Sequence, residues 1–161
     1  MDFAYSATQQ EIAAAVRGLC ERFPAEYWRR CDAELAYPEE FVNEMTEAGW
    51  LAALIPEAYG GSGLGLLDAC VILQEINAMG GNAATCHAQM YTMASVLQHG
   101  NEQQKQAVLP RIADGSLRLQ AFGVTEPSTG SDTTQLKTRA ERKTPGATRK
   151  RMAASISTLA T

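Results

Sequence analysis

Over most of the first two-thirds of the chain, apolar residues return every three or four positions, and that period predicts helices. Ser6 followed by Gln9 has the form of a capping box, and Ile12, Val16, Leu19 and Phe23 make one stripe after it. Pro24 interrupts this stripe, and Tyr27, Trp28, Cys31 and Leu35 continue at helical spacing over 24–35. Pro38 suits a first helical position. Glu39 and Glu40 favour the positive end of the dipole, and Phe41, Val42 and Met45 supply the apolar face before Gly49 ends the helix. The run Trp50-Leu-Ala-Ala-Leu-Ile55 is too short for an independent helix and reads as a buried connection.

Four glycines fall within Gly60-Gly-Ser-Gly-Leu-Gly65. No strand precedes them and no Lys follows, so a tight bend into a helix is favoured over a phosphate loop. From Leu66 to Met79 a helix is predicted with Leu67, Val71 and Ile72 on one face, Glu75 on another, and Gly80-Gly81 as the stop. The next helix, 82–98, has Asn82 as its cap and is narrow: Ala83, Ala84, Thr85, Cys86 and Ala88 precede Met90, Met93 and Ala94. Small residues with flexible methionines suit either a close helix pair or a wall beside an alkyl chain. His87 on this helix reads as a surface or core residue, or as a pocket residue. After His99-Gly-Asn101 a short amphipathic helix runs to Pro110. An extended run with Leu117, Leu119, Ala121 and Phe122 then leads to Pro127 and a loop of hydroxyl residues closed by Asp132. The predicted fold is therefore mainly α: about six helices, the first strands of an incomplete β-domain, and an irregular tail.

At 161 residues the chain is long enough for one domain with a core, or one domain and part of another. No apolar run is long enough to cross a bilayer, and Met1-Asp-Phe-Ala-Tyr5 does not read as a secretory signal. Cys20, Cys31, Cys70 and Cys86 lack metal-ligand spacing, so no metal site is expected; they read as buried reduced thiols of a cytoplasmic protein. The formal charge of −4 is unevenly distributed: residues 1–132 carry a net −10 and residues 133–161 a net +6. The basic end lacks aromatics and a bulky amphipathic pattern, which argues against nucleic acid or membrane as its partner.

The loop after Ala121 carries the chemistry. Its hydroxyls, its glycine and its backbone amides suit a flat heteroaromatic ring with carbonyl edges, or a phosphate. The whole string Phe122-Gly-Val-Thr-Glu-Pro-Ser-Thr-Gly-Ser-Asp132 resembles the flavin-binding signature of the acyl-CoA dehydrogenase family, aromatic-x-Val/Leu-Thr-Glu-Pro-x-x-Gly-Ser-Asp. Further segments resemble the family in the same order. They are Ala48-Gly-Trp50, Ile55 through Gly65, Gln74-Glu-Ile76, His99 through Lys105 with Leu109-Pro110, and Leu119 through Ala140.

The resemblance implies a helical domain over 1–116, the start of a middle β-domain over 117–142, and a basic tail over 143–161 that departs from the family. It implies FAD as cofactor, a fatty acyl-CoA as substrate, an electron-transfer flavoprotein as partner and a homo-oligomeric assembly in the intact family. Phe122, Val124 and Thr125 would lie along the flavin ring, and Gly130 and Ser131 near its phosphate side, with Ser131 also facing the acyl-CoA. Ala84, His87, Met90 and Met93 would border the acyl pocket, and Asp132 would cap the turn. Phe122 stands where family members also carry Tyr. No catalytic residue is assigned, because the family's base lies in a C-terminal domain and neither Glu75 nor Glu126 matches its position. The change of composition after Arg142 is what a shifted reading frame or premature stop would give, so the chain is expected to be truncated and inactive alone. Two alternatives stay open: a helical module that binds an acyl chain or a protein without catalysis, and a flavin oxidase or hydroxylase on the same fold.

Overall fold

Six helices form in the order the periodicity predicts: α1 (Ala7–Cys20), α2 (Ala25–Ala33), α3 (Glu39–Glu47), α4 (Leu66–Ala78), α5 (Ala84–His99) and α6 (Glu102–Ala113). The computed structural model describes residues 4–121 and 123–139. The chain divides into two compact units, Met1–Ala121 and Phe122–Thr161.

Helix starts in the first unit follow local chemistry. At α1 the Ser6 hydroxyl accepts from the Gln9 amide at 3.2 Å, while the Gln9 side chain accepts from the Ser6 amide at 3.1 Å. Asn101 and Gln104 make the same reciprocal pair at α6. Pro38 occupies the N-cap of α3 and offers no side-chain cap, so the acceptor comes from elsewhere: the Phe41 amide donates to the Tyr27 hydroxyl at 3.3 Å. Gly49, at φ 79°, ends α3, and the Trp50–Ala52 segment turns once as a buried 3-10 helix.

α1 lies along α4, and α5 packs with α6. The larger apolar cluster joins Ile12, Val16 and Leu19 of α1 to Phe41 and Met45 of α3, Ile72 and Ile76 of α4, and Met90 of α5. Its aromatic part is a chain of edge-to-face contacts, with centroids 5.0 Å apart for Phe23–Tyr27, 5.3 Å for Phe23–Phe41 and 4.9 Å for Trp28–Phe41. A smaller cluster gathers Ala52, Ile55, Met93, Leu109 and Ile112. α5 therefore contributes a methionine to each cluster.

Packing overrides the sequence pattern at several points. Glu75 shares the buried arc of α4 with Val71 and Ile72, and it is only 3% exposed. Its carboxylate accepts from Arg17 Nε at 2.5 Å and Nη2 at 3.1 Å, a fork that only the neighbouring helix could supply. Leu67 was expected inside, but it lies outside this arc and is exposed. α6 continues through Pro110 to Ala113 because Leu109 and Ile112, on either side of the proline, are both fully buried. Cys20 and Cys86 are buried and Cys31 half-buried, but Cys70 is exposed on the outer side of α4; none is in a disulfide. Residues 117–121, expected as the start of a strand, form none, since a strand needs a pairing partner and no described segment offers one. No described helix is long and apolar enough to cross a membrane.

Candidate functional site

The second unit is a short loop system built by its own side chains. Glu126 and Thr129 exchange backbone hydrogen bonds of 2.9 and 3.1 Å across Pro127 and Ser128. This is a turn whose second position is proline, where the fixed φ is already correct. The Glu126 carboxylate then reaches forward and accepts from the amides of Lys137 at 3.0 Å and Thr138 at 2.6 Å. The Thr138 side chain first, and then these two amides, hold Glu126 below the usual carboxylate range. Asp132 accepts from the Thr134 hydroxyl at 2.5 Å and its amide at 3.1 Å, which starts the 3-10 turn Thr133–Gln135 and lowers the Asp132 pKa. Asp132 thus caps the turn, as its place in the signature implied.

Both carboxylates of the loop are committed to the loop's own donors. Thr125, Gly130 and Ser131 are exposed, and Val124 is half-buried. A Cβ placed on Gly130 would meet nothing within 4 Å, so its backbone is open to close approach. Hydroxyl and backbone groups, with no free carboxylate beside them, fit a ligand edge rich in hydrogen-bond acceptors, as a flavin has. Phe122, the residue expected on the ring face, lies outside the described residues, as do 140–161 and with them the whole basic tail 143–161.

In the first unit, α5 separates the four residues expected at an acyl pocket. Met90 and Met93 point into the two apolar clusters and are buried. Ala84 and His87 lie on the open side, where the His87 ring meets Tyr91 edge-on at 5.0 Å. Tyr91 was missed in the sequence, although its place four residues after His87 puts it on the same helix face. On the buried side, the Cys86 thiol is pushed up to about 12 by burial.

The glycine-rich bend is not a phosphate cradle. Its amides are used internally: Gly63 donates to the Ile55 carbonyl at 2.8 Å, Leu64 to Ala53 at 2.8 Å and Ser62 to Ala52 at 3.3 Å. A Cβ on Gly61 would lie 2.1 Å from the Ile55 oxygen, which explains a glycine there. Among the described residues, no group of three or more His, Cys, Asp or Glu side chains is placed to hold a metal ion.

The described residues thus form a six-helix unit and a self-bonded loop, and comparison with known proteins makes the family explicit. Residues 6–116 match the model of the acyl-CoA dehydrogenase N-terminal domain, and the chain belongs to the acyl-CoA dehydrogenase family. It is 33% identical over 149 residues to glutaryl-CoA dehydrogenase of Desulfococcus multivorans, covering 89% of this chain and 38% of that protein. A probable acyl-CoA dehydrogenase of Mycobacterium tuberculosis is 31% identical over 134 residues, covering 81% of this chain and 34% of the relative. Among solved structures, a glutaryl-coenzyme A dehydrogenase in complex with glutaryl-CoA matches with a TM-score of 0.74 at 31% identity, over 84% of this chain and 35% of that one. Butyryl-CoA dehydrogenase from Megasphaera elsdenii matches at 0.70 and 27% identity, over 83% and 36%. An acyl-CoA dehydrogenase complexed with FAD from Bacillus anthracis matches at 0.70 and 28%, over 83% and 23%. The chain thus spans about a third of the length of the curated relatives it matches.

Proposed function

We propose that this chain supplies one flank of an FAD site for the α,β-dehydrogenation of a fatty acyl-CoA thioester. The observation that carries this reading is the 123–132 loop. It folds on its own carboxylates and leaves Thr125, Gly130 and Ser131 outward, the positions that the signature assigns to flavin. Thr125 and Ser131 would donate hydrogen bonds to the cofactor, and Phe122 would offer it an aromatic face. When bound, FAD supplies the acceptor for the hydride that leaves the β-carbon. Ala84, His87 and Tyr91 on the open side of α5 would border the acyl group. An electron-transfer flavoprotein would reoxidise the cofactor.

The α-proton needs a carboxylate base. Glu75 is held by Arg17, and Glu126 and Asp132 hold backbone turns. Each of these three is committed to a structural partner, and we assign none of them as that base.

The test is an FAD titration of residues 1–161 followed by flavin fluorescence, then anaerobic addition of acyl-CoA. We expect weak binding that leaves little FAD on the purified protein and that Thr125→Val with Ser131→Ala abolishes. FAD binding that ignores this double substitution would overturn the site. Bleaching of the flavin band by acyl-CoA would overturn the assignment of Glu75, Glu126 and Asp132 to structural roles alone.

A further inference from the structure

We propose that Arg118 is a positioning residue that latches residues 117–121, the segment leading into the flavin signature, onto α3. Leu117 and Leu119 pack against the smaller apolar cluster of Ile55, Met93, Leu109 and Ile112. Arg118 and Gln120 alternate with them and find polar partners on the α2–α3 side. Arg118 Nη1 donates to Thr46 Oγ1 at 2.8 Å and Nη2 to Asn43 Oδ1 at 2.9 Å. The Tyr37 hydroxyl donates to Gln120 Oε1 at 2.5 Å.

Thr46 is the centre of the latch. Its hydroxyl donates to the Val42 carbonyl at 2.7 Å, which fixes the lone pairs that accept from Arg118. Its methyl group fills the space where a Cβ on Gly115 would stand, 2.7 Å from Cγ2, and Gly115 adopts φ 80°. The turn after α6 is therefore seated on the same threonine that holds Arg118. Asn43 and Thr46 are three residues apart on α3 and present one face to the guanidinium.

Backbone bonding does not do this job. Leu117 donates to the Arg111 carbonyl at 2.9 Å, and beyond it no backbone–backbone hydrogen bond involves 118–121 among the described residues. Residues 118–121 are kept on their track by side chains, and the two bonds from the charged guanidinium are the stronger kind. The value of such a latch to a flavin site rests on the proposed function above. The latch itself is independent of that reading and is tested without flavin.

The experiment is limited chymotrypsin digestion of the full chain, with the cut sites read by mass spectrometry and a thermal melt run in parallel. Arg118→Met keeps the aliphatic stem and removes the donors. Thr46→Val keeps the shape and removes the hydroxyl, and Thr46→Ser keeps the hydroxyl. We expect cleavage after Leu117 and Leu119 to quicken at least about tenfold in Arg118→Met and Thr46→Val, in line with the loss of hydrogen bonds to a charged group. The double variant should gain little over either single one. Thr46→Ser should behave as the parent, and all four melts should stay close to it. Unchanged cleavage overturns the latch. Faster cleavage matched by a fall in melting temperature overturns it too, because Arg118 would then support the whole unit and not this segment.

Discussion

Gln89 offers a direct test of how buried polarity is handled in α5. The side chain is fully buried, and neither its amide nitrogen nor its amide oxygen has a hydrogen-bond partner among the described residues. Replacing Gln89 by Met keeps the length and nearly the volume of the side chain and removes both polar groups. An unmet buried amide costs about 1–3 kcal/mol on the scale set by protein mutations. Met also fills the space with apolar atoms, so the change should stabilise the helical unit by about 1–3 kcal/mol. With a denaturant slope of about 1–3 kcal/mol/M, the urea midpoint followed by far-UV circular dichroism should rise by roughly 1 M. Gln89→Ala serves as the control. It removes the same polar groups but opens a cavity, so its midpoint should fall below that of Gln89→Met. A drop in the midpoint with Gln89→Met would refute the reasoning, because it would mean that the amide is well satisfied where it lies.

Two glycines should respond in opposite directions to the same substitution. Gly18 lies inside α1 with nothing within 4 Å of an added Cβ, so Gly18→Ala should add roughly 1 kcal/mol in the same urea assay. Gly61→Ala would drive a Cβ into the backbone oxygens of Ile55 and Ala52 and should cost at least about 3 kcal/mol or prevent folding, which soluble yield and a melt will show. With a thiol reagent at pH 8, exposed Cys70 should be modified first. Cys20 and Cys86 should react only on unfolding, since burial raises both thiols, and rapid labelling of Cys86 in the native protein would contradict its place in the core. Glu126 is depressed below its usual 4.5, so the stability that it gives the loop is present above the unfolded value and is lost as pH falls through the lower folded value. An NMR titration should show the Lys137 and Thr138 amide shifts moving together with an apparent pKa under 4.5, and a midpoint at or above 4.5 would break the link.

Much of this protein was legible in the chain because the relevant signals are local. A capping box needs only Ser6 and Gln9, a left-handed stop needs only Gly49, and a 3.6-residue period marks a helix wherever its core lies. The signature at 122–132 was legible by its resemblance to a family pattern, and its turn is built from hydrogen bonds among residues within twelve positions of one another. The burial of the α5 residues was only half legible. The sequence placed Ala84, His87, Met90 and Met93 on one helix, but their division between core and open face depends on which neighbours cover that helix, and those neighbours lie far away in the chain.

What the sequence determined alone was therefore the order of the helices, most of their starts, the family resemblance and the turn at Pro127. Tertiary structure decided where charge and polarity could be buried. Glu75 is inside because α1 brings Arg17 to it, across 58 residues. Pro110 stays within α6 because the helix has apolar anchors on both sides of it. Arg118 has a role because α3 presents Thr46 and Asn43, 72 and 75 residues earlier in the chain. Local propensity involves neighbours in sequence, whereas desolvation and cross-helix hydrogen bonds involve neighbours in space, and only the folded chain brings those together.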